Sequence, residues 1–155
     1  MTKVLGVYCK RSHFNDPRVR YCTVCGIAMS QAHRQPALGD RPQLGVVVLD
    51  DGTMLSLACD QVLGCTPEAD PAVVTGQASP VRLLDPLVSS VHARVVLDGW
   101  EVKLVDAGSE AGTFVRTPGQ AAWTRLPPGA GVTLRPGTVA AVGRRQFCYH
   151  SGRNQ

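Results

Sequence analysis

From about residue 44 onward, short apolar runs alternate with clusters of turn-forming residues, spaced roughly 8–12 residues apart as in an all-β sandwich. Leu44 to Asp50 gives way at Asp51-Gly52 to Met54 to Ala58, and Val91 to Leu97 gives way at Asp98-Gly99 to Trp100 to Val105. Asp-Gly between two such runs predicts a tight hairpin, because glycine accepts the positive φ that the turn demands. In the second hairpin His92, Arg94 and Val96 fall on one face and Ala93, Val95 and Leu97 on the other, the alternation of a half-buried strand. Runs at 132–134, 139–142 and 146–150 continue the rhythm. No stretch shows helical periodicity, and 11 Pro with 16 Gly oppose long helices. The pattern predicts an all-β sandwich over residues 44–151, with Cys59 and Cys148 as small core residues.

The N-terminal third reads differently. Residues 29–43 are polar and aperiodic, with Gln31, His33, Gln35, Pro36, Gly39 and Asp40. They predict a linker in which His33 is exposed. Before it, Cys9-Lys10-Arg11-Ser12-His13 is followed by Cys22-Thr23-Val24-Cys25-Gly26. Two short ligand pairs across a turn-sized loop suit a tetrahedral ion, each pair forming a tight knuckle along one edge of the tetrahedron. A redox Cys-x-x-Cys would need a strand-helix frame that is missing here, and a disulfide is disfavoured if the chain is cytoplasmic. Residues 1–28 are similar to a short zinc ribbon with Cys9, His13, Cys22 and Cys25 as ligands. Three thiolates and one imidazole would leave no position for a reacting water, so the Zn2+ would be structural.

The length of 155 residues, 44% hydrophobic and 18% charged, allows one core of roughly 100 residues plus a small second unit. Apolar runs are far shorter than the roughly 20 residues that cross a bilayer, and Val4 to Tyr8 is too short for a signal-peptide core. The expectation is a cytoplasmic protein without membrane insertion. Of the formal charge of +4, residues 1–43 carry seven Lys/Arg against two acids. This asymmetry admits nucleic acid as a partner of the basic ribbon.

The chemistry-bearing motifs lie at Ser89-Ser90-Val91-His92-Ala93 and Asp106-Ala107-Gly108-Ser109-Glu110-Ala111-Gly112-Thr113-Phe114. With Val62-Leu63-Gly64 before them and Leu134-Arg135-Pro136-Gly137 and Val142-Gly143 after them, these stretches resemble a forkhead-associated (FHA) domain, whose signature is Gly-Arg, Ser-x-x-His and Asn-Gly-Thr. The combination with a ribbon resembles bacterial FHA proteins. The resemblance implies a β-sandwich that reads phosphothreonine on a partner through Gly64, Cys65, Ser89, Ser90, His92, Ala111, Gly112, Thr113 and Arg116. Ser89 matches the position whose hydroxyl meets the phosphate, and His92 the position that braces the loop from behind. Cys65 stands where the family has Arg, Ala111 where it has Asn, and Arg116 where a second Asn often sits. The segment between Gly64 and Ser89 is longer than usual, which implies an enlarged first loop.

Ser89, His92 and Asp106 are also the ingredients of a hydrolytic triad, but no Gly-x-Ser-x-Gly elbow accompanies them. The expected function is therefore a non-catalytic adaptor, in Ser/Thr-kinase signalling or a multi-protein assembly, with a degenerate phosphothreonine site. Arg82, Arg94 and Arg116 are the candidate substitutes for the missing cation. The alternatives are a phospho-independent scaffold or oligomerisation module, and a nucleic-acid-associated protein using the ribbon.

Overall fold

The computed structural model describes residues 2–29 and 35–151; His33 lies outside them. The chain divides at Pro42 and Gln43 into two units. Among the described residues all six cysteines are free and no peptide bond is cis. No described helix is long and apolar enough to cross a membrane.

The N-terminal unit is a three-stranded antiparallel sheet, in the order β2 (Phe14–Asn15), β1 (Lys3–Tyr8), β3 (Ala37–Asp40). Strand β3 corrects the expectation that 29–43 is all linker: Ala37 to Asp40 pair with Gly6 to Lys3. Gly39 and Asp40 are poor strand formers by propensity, and context overrides them. The Phe14 ring lies across Gly6 and Gly39, where a Cβ would come within 2.4 and 2.8 Å of it. The buried cluster is small: Val7, Cys9, Cys22 and Met29.

The second unit is the expected sandwich. One sheet has the order β11 (Thr124–Arg125), β10 (Thr113–Arg116), β13 (Val139–Val142), β14 (Arg145–His150), β4 (Val46–Leu49), β5 (Met54–Ser56). The other has the order β12 (Gly131–Thr133), β9 (Glu101–Asp106), β8 (Ala93–Asp98), β6 (Asp60–Gly64), β7 (Ala78–Arg82). Val47, Leu49, Ala140, Val142, Phe147 and Tyr149 from the first sheet meet Leu63, Ala93, Val95, Leu97, Val102 and Leu104 from the second in one core. Both Asp-Gly hairpins form, with Gly52 at φ 89° and Gly99 at φ 60°.

Cys59 and Cys148 are not core residues. Both are half-buried: Cys59 precedes β6 with its Sγ 3.2 Å from Ser79 Oγ. Cys148 registers with Val48 and Val139, whose own exposure places that row on the outer side of the six-stranded sheet. The segment from Cys65 to Gln77 is a structured loop holding a 3-10 turn (Pro67–Ala69) and a single-turn helix α1 (Pro71–Val74). Asp70, 4% exposed, ties it down, capping α1 through the Ala72 N–H at 2.8 Å and pairing with Arg94 of β8. Burial raises the Asp70 carboxyl, but the Ala72 N–H and the Arg94 guanidinium bring it below the ordinary carboxylate range.

Candidate functional site

At the end of β6, the chain needs Gly64. A Cβ there would fall 2.0 Å from the Ser90 carbonyl oxygen, so only glycine lets the 89–91 segment lie across the strand end. The approach is closed by main-chain hydrogen bonds: Cys65 N–H to Ser89 O and Thr66 N–H to Ser90 O, both 3.0 Å, and His92 N–H to Leu63 O, 2.8 Å. The Cys65 side chain is half-buried against the core. It offers neither charge nor fixed donors at the loop surface.

His92 is fully buried. Its Nδ1 accepts from the Ser89 main-chain N–H at 3.1 Å, and its Nε2 donates to the Gly112 carbonyl at 2.8 Å. One imidazole thus pins both loops, and the two bonds assign the proton to Nε2. The second loop has its own anchor in Asp106, 1% exposed, whose Oδ1 accepts from Ser109 Oγ (2.5 Å) and Thr113 Oγ1 (2.6 Å). Its Oδ2 accepts from Gly108 and Ser109 N–H groups. Burial pushes this carboxyl up, but the four donors outweigh it and leave it below the ordinary range. Neither ring nitrogen of His92 touches the Ser89 hydroxyl, and Asp106 is committed to its own turn, so these three residues form no relay.

Of the nine residues expected at this site, Ser89 and Ala111 share a cleft of 320 Å³ with Pro86, Leu87, Val88 and Glu110. Ser90 is exposed, whereas Gly112 and Thr113 are buried supports. The candidate substitute cations are engaged elsewhere: Arg82 pairs with Glu68, Arg94 with Asp70, and Arg116 stacks on Trp123 at 4.6 Å. Arg125, which sequence reasoning did not single out, lies over Phe114 at 5.9 Å and against Gly112. Glu110 lies within the Asp106–Phe114 stretch but matches no signature residue there, and Leu87 lies in no motif, so neither was singled out.

In the N-terminal unit the ligating atoms of Cys9, His13, Cys22 and Cys25 lie within 4.8 Å of one another, a group that could hold a metal ion. His13 Nδ1 is 3.5 Å from Cys9 Sγ and 3.6 Å from Cys22 Sγ, and Cys9 Sγ is 3.8 Å from Cys25 Sγ. Main-chain N–H groups of Arg11 and His13 point at Cys9 Sγ, and those of Val24 and Cys25 at Cys22 Sγ. Burial raises the Cys22 thiol, yet these donors and Asn15 bring it down to about 6. Cys25 is shifted upward: an Ile27 N–H lowers it, but burial and the neighbouring Cys22 and Cys9 sulfurs outweigh that bond. Fully buried Asn15 joins the knuckles, donating to His13 O (3.0 Å) and Cys22 Sγ (3.4 Å) and accepting from Thr23. No sequence signal distinguishes it from a surface turn residue.

Residues 70–143 match the family profile described as FHA domain. The sandwich is FHA-like. Similar solved structures agree with this FHA fold. The FHA domain of CT664 protein from Chlamydia trachomatis is 19% identical, over 68% of this chain and 94% of its own, with a TM-score of 0.52. Mycobacterium tuberculosis EmbR in complex with a low affinity phosphopeptide is 20% identical, over 72% of this chain and 26% of its own, at 0.53. The FHA domain of human APLF in complex with an XRCC1 bisphospho peptide is 19% identical, over 69% of this chain and 98% of its own, at 0.53. No curated protein matches the sequence.

Proposed function

We propose that this protein is a non-catalytic adaptor that engages a partner protein through the loop end of its FHA-like domain, where the phosphothreonine site is degenerate. The observation that carries the reading is the contrast within one site. The Ser89 loop is braced by His92 onto Gly112, yet the positions for the guanidinium and the peptide-binding amide hold Cys65 and Ala111. A phosphate dianion is held by charge-assisted, bidentate donors. Losing one such contact costs roughly 1.5–3 kcal/mol, about ten- to hundredfold in affinity. EmbR and the FHA domain of APLF, similar in fold, are each in complex with a phosphopeptide, which supports a peptide as the class of ligand. Six free cysteines suit a reducing, cytoplasmic setting, and Ser/Thr-kinase signalling or a multi-protein assembly is the context that an adaptor of this kind serves.

Restoring the missing groups tests this. The double variant Cys65→Arg, Ala111→Asn should bind phosphothreonine peptides at least tenfold more tightly than the natural protein, and Ser89→Ala on top of it should abolish the gain. A double variant that folds but gains nothing would remove the loop end as the ligand site.

The Cys9, His13, Cys22 and Cys25 group is proposed as a zinc ribbon. With Zn–S bonds of about 2.3 Å and a Zn–N bond of about 2.0–2.1 Å, a tetrahedron has S···S edges of about 3.8 Å and S···N edges of about 3.5 Å. The separations of 3.8, 3.5 and 3.6 Å fit those edges. When bound, the ion would supply cross-linking rather than reaction chemistry, while the N–H groups of Arg11, His13, Val24 and Cys25 stabilise the thiolates.

A further inference from the structure

The cleft beside Ser89 is lined by Pro86, Leu87, Val88, Ser89, Glu110 and Ala111, so its only charged wall is an acid. Glu110 is exposed and makes no ion pair among the described residues. Leu87 keeps 46% of its surface exposed although its turn is fixed. The Asp85 carboxylate accepts from the N–H groups of Leu87 (2.9 Å) and Arg144 (3.2 Å), and Val88 N–H reaches Asp85 O at 3.0 Å. Gly143 fits so closely behind this turn that a Cβ would lie 2.9 Å from Val88 Cγ2. The apolar wall is therefore preformed, and a ligand would not have to order it.

No cation stands in the cleft wall itself. Arg82 and Arg94 are neutralised by Glu68 and Asp70, while Arg116 and Arg125 keep their charge but are stacked on Trp123 and Phe114. Arg144 has no acidic side-chain partner but is not among the residues of the cleft wall. A phosphate dianion entering beside Ser89 would meet the Glu110 carboxylate, and a like charge in a recognition cleft rejects the ligand that carries it.

We propose that the natural ligand of this cleft is an unphosphorylated, extended segment of a partner protein, which seats an aliphatic side chain on Leu87, Val88 and Ala111 and presents Lys or Arg to Glu110. The inference rests on the reading of the loop end as the ligand site and assigns the chemistry of what binds there. Phosphorylation of that segment next to the aliphatic residue would release it.

The test uses the full chain with its metal on two peptide arrays, one of random unphosphorylated sequences and one randomised around phosphothreonine. The unphosphorylated array should yield peptides with an aliphatic residue beside Lys or Arg. Glu110→Lys, a change at an exposed position, should weaken them by roughly tenfold and shift selection toward acidic neighbours. Leu87→Ser should remove the aliphatic preference, and Arg144→Ala should leave the selection unchanged. Preference of the natural protein for phosphothreonine, or selection indifferent to Glu110→Lys, would overturn the inference and leave the loop-end reading intact. If neither the natural protein nor the Cys65→Arg, Ala111→Asn variant binds any peptide, the reading itself fails, and the inference with it.

Discussion

Asp106 carries a burden that its place in a recognition motif does not suggest. It is buried, accepts four hydrogen bonds and is held below the ordinary carboxylate range by them, so its ionised form is the one the fold prefers. A group with a depressed folded pKa contributes stability above its unfolded pKa, about 4, and loses that contribution as pH falls through the lower folded value. Asp106→Asn should therefore destabilise the sandwich by about 2 kcal/mol near neutral pH. The gap to the natural protein should narrow steadily below pH 4, measured by urea unfolding across the acid range. A gap independent of pH would mean that the loss is steric and the charge irrelevant. His92 has both ring nitrogens occupied by main-chain groups and so holds the Ser89 loop to Gly112.

Among the elements, the junction of β6 with the 89–91 segment is the least tolerant of change. At Gly64 an added methyl meets a carbonyl held by a main-chain hydrogen bond from Thr66, not the end of a flexible side chain, so the strand end or the 89–91 segment must move. Gly64→Ala should cost about 2 kcal/mol, within the usual range for overpacking, and disorder Ser89 first. Amide exchange at Cys65 and Thr66, whose N–H groups face Ser89 and Ser90, would report it; unchanged protection there would show that the loop does not depend on the close approach. This junction was half legible. Gly64, Ser89 and His92 could be placed by their motifs, and the hairpin strands by Asp-Gly and alternation. The intervening β7 was not, because Ser79 and Pro80 interrupt its apolar pattern and its pairing with β6 is parallel, through a crossover that carries no hairpin signal. Strands β1 and β3 escaped for another reason: their exposed Leu5 and Leu38 face each other in register, and the buried positions on the other face are Val4, Gly6 and Gly39, where two glycines out of three leave no hydrophobic periodicity. At the site, what could not be read was what depends on tertiary contact, namely the unpaired Glu110, the Asp85 turn behind Leu87, and Asn15 between the knuckles.

At the scale of the molecule the two units are unequal in what holds them. The sandwich has a continuous core of twenty buried residues, whereas the cluster of the N-terminal unit is Val7, Cys9, Cys22 and Met29, and half of that cluster consists of metal-ligand candidates. So small a core cannot offset the ordering entropy of the segment by itself. A structural zinc contributes about 10–16 kcal/mol in comparable small folds, more than the whole stability of a typical domain of this size. Purified protein should thus contain one zinc per chain. Its removal by a strong chelator should abolish amide protection at Cys9, Cys22 and Met29, whose N–H groups bond to His13, Ile27 and Arg20 carbonyls. Protection in β8, β9 and β13 should persist, since those strands draw on the other core. Cys22→Ser should reproduce the chelated pattern without chelator. Loss of protection in both units together would show that the sandwich borrows stability from the N-terminal unit, and full protection after chelation would show that the four residues are a cluster of ordinary thiols around a histidine.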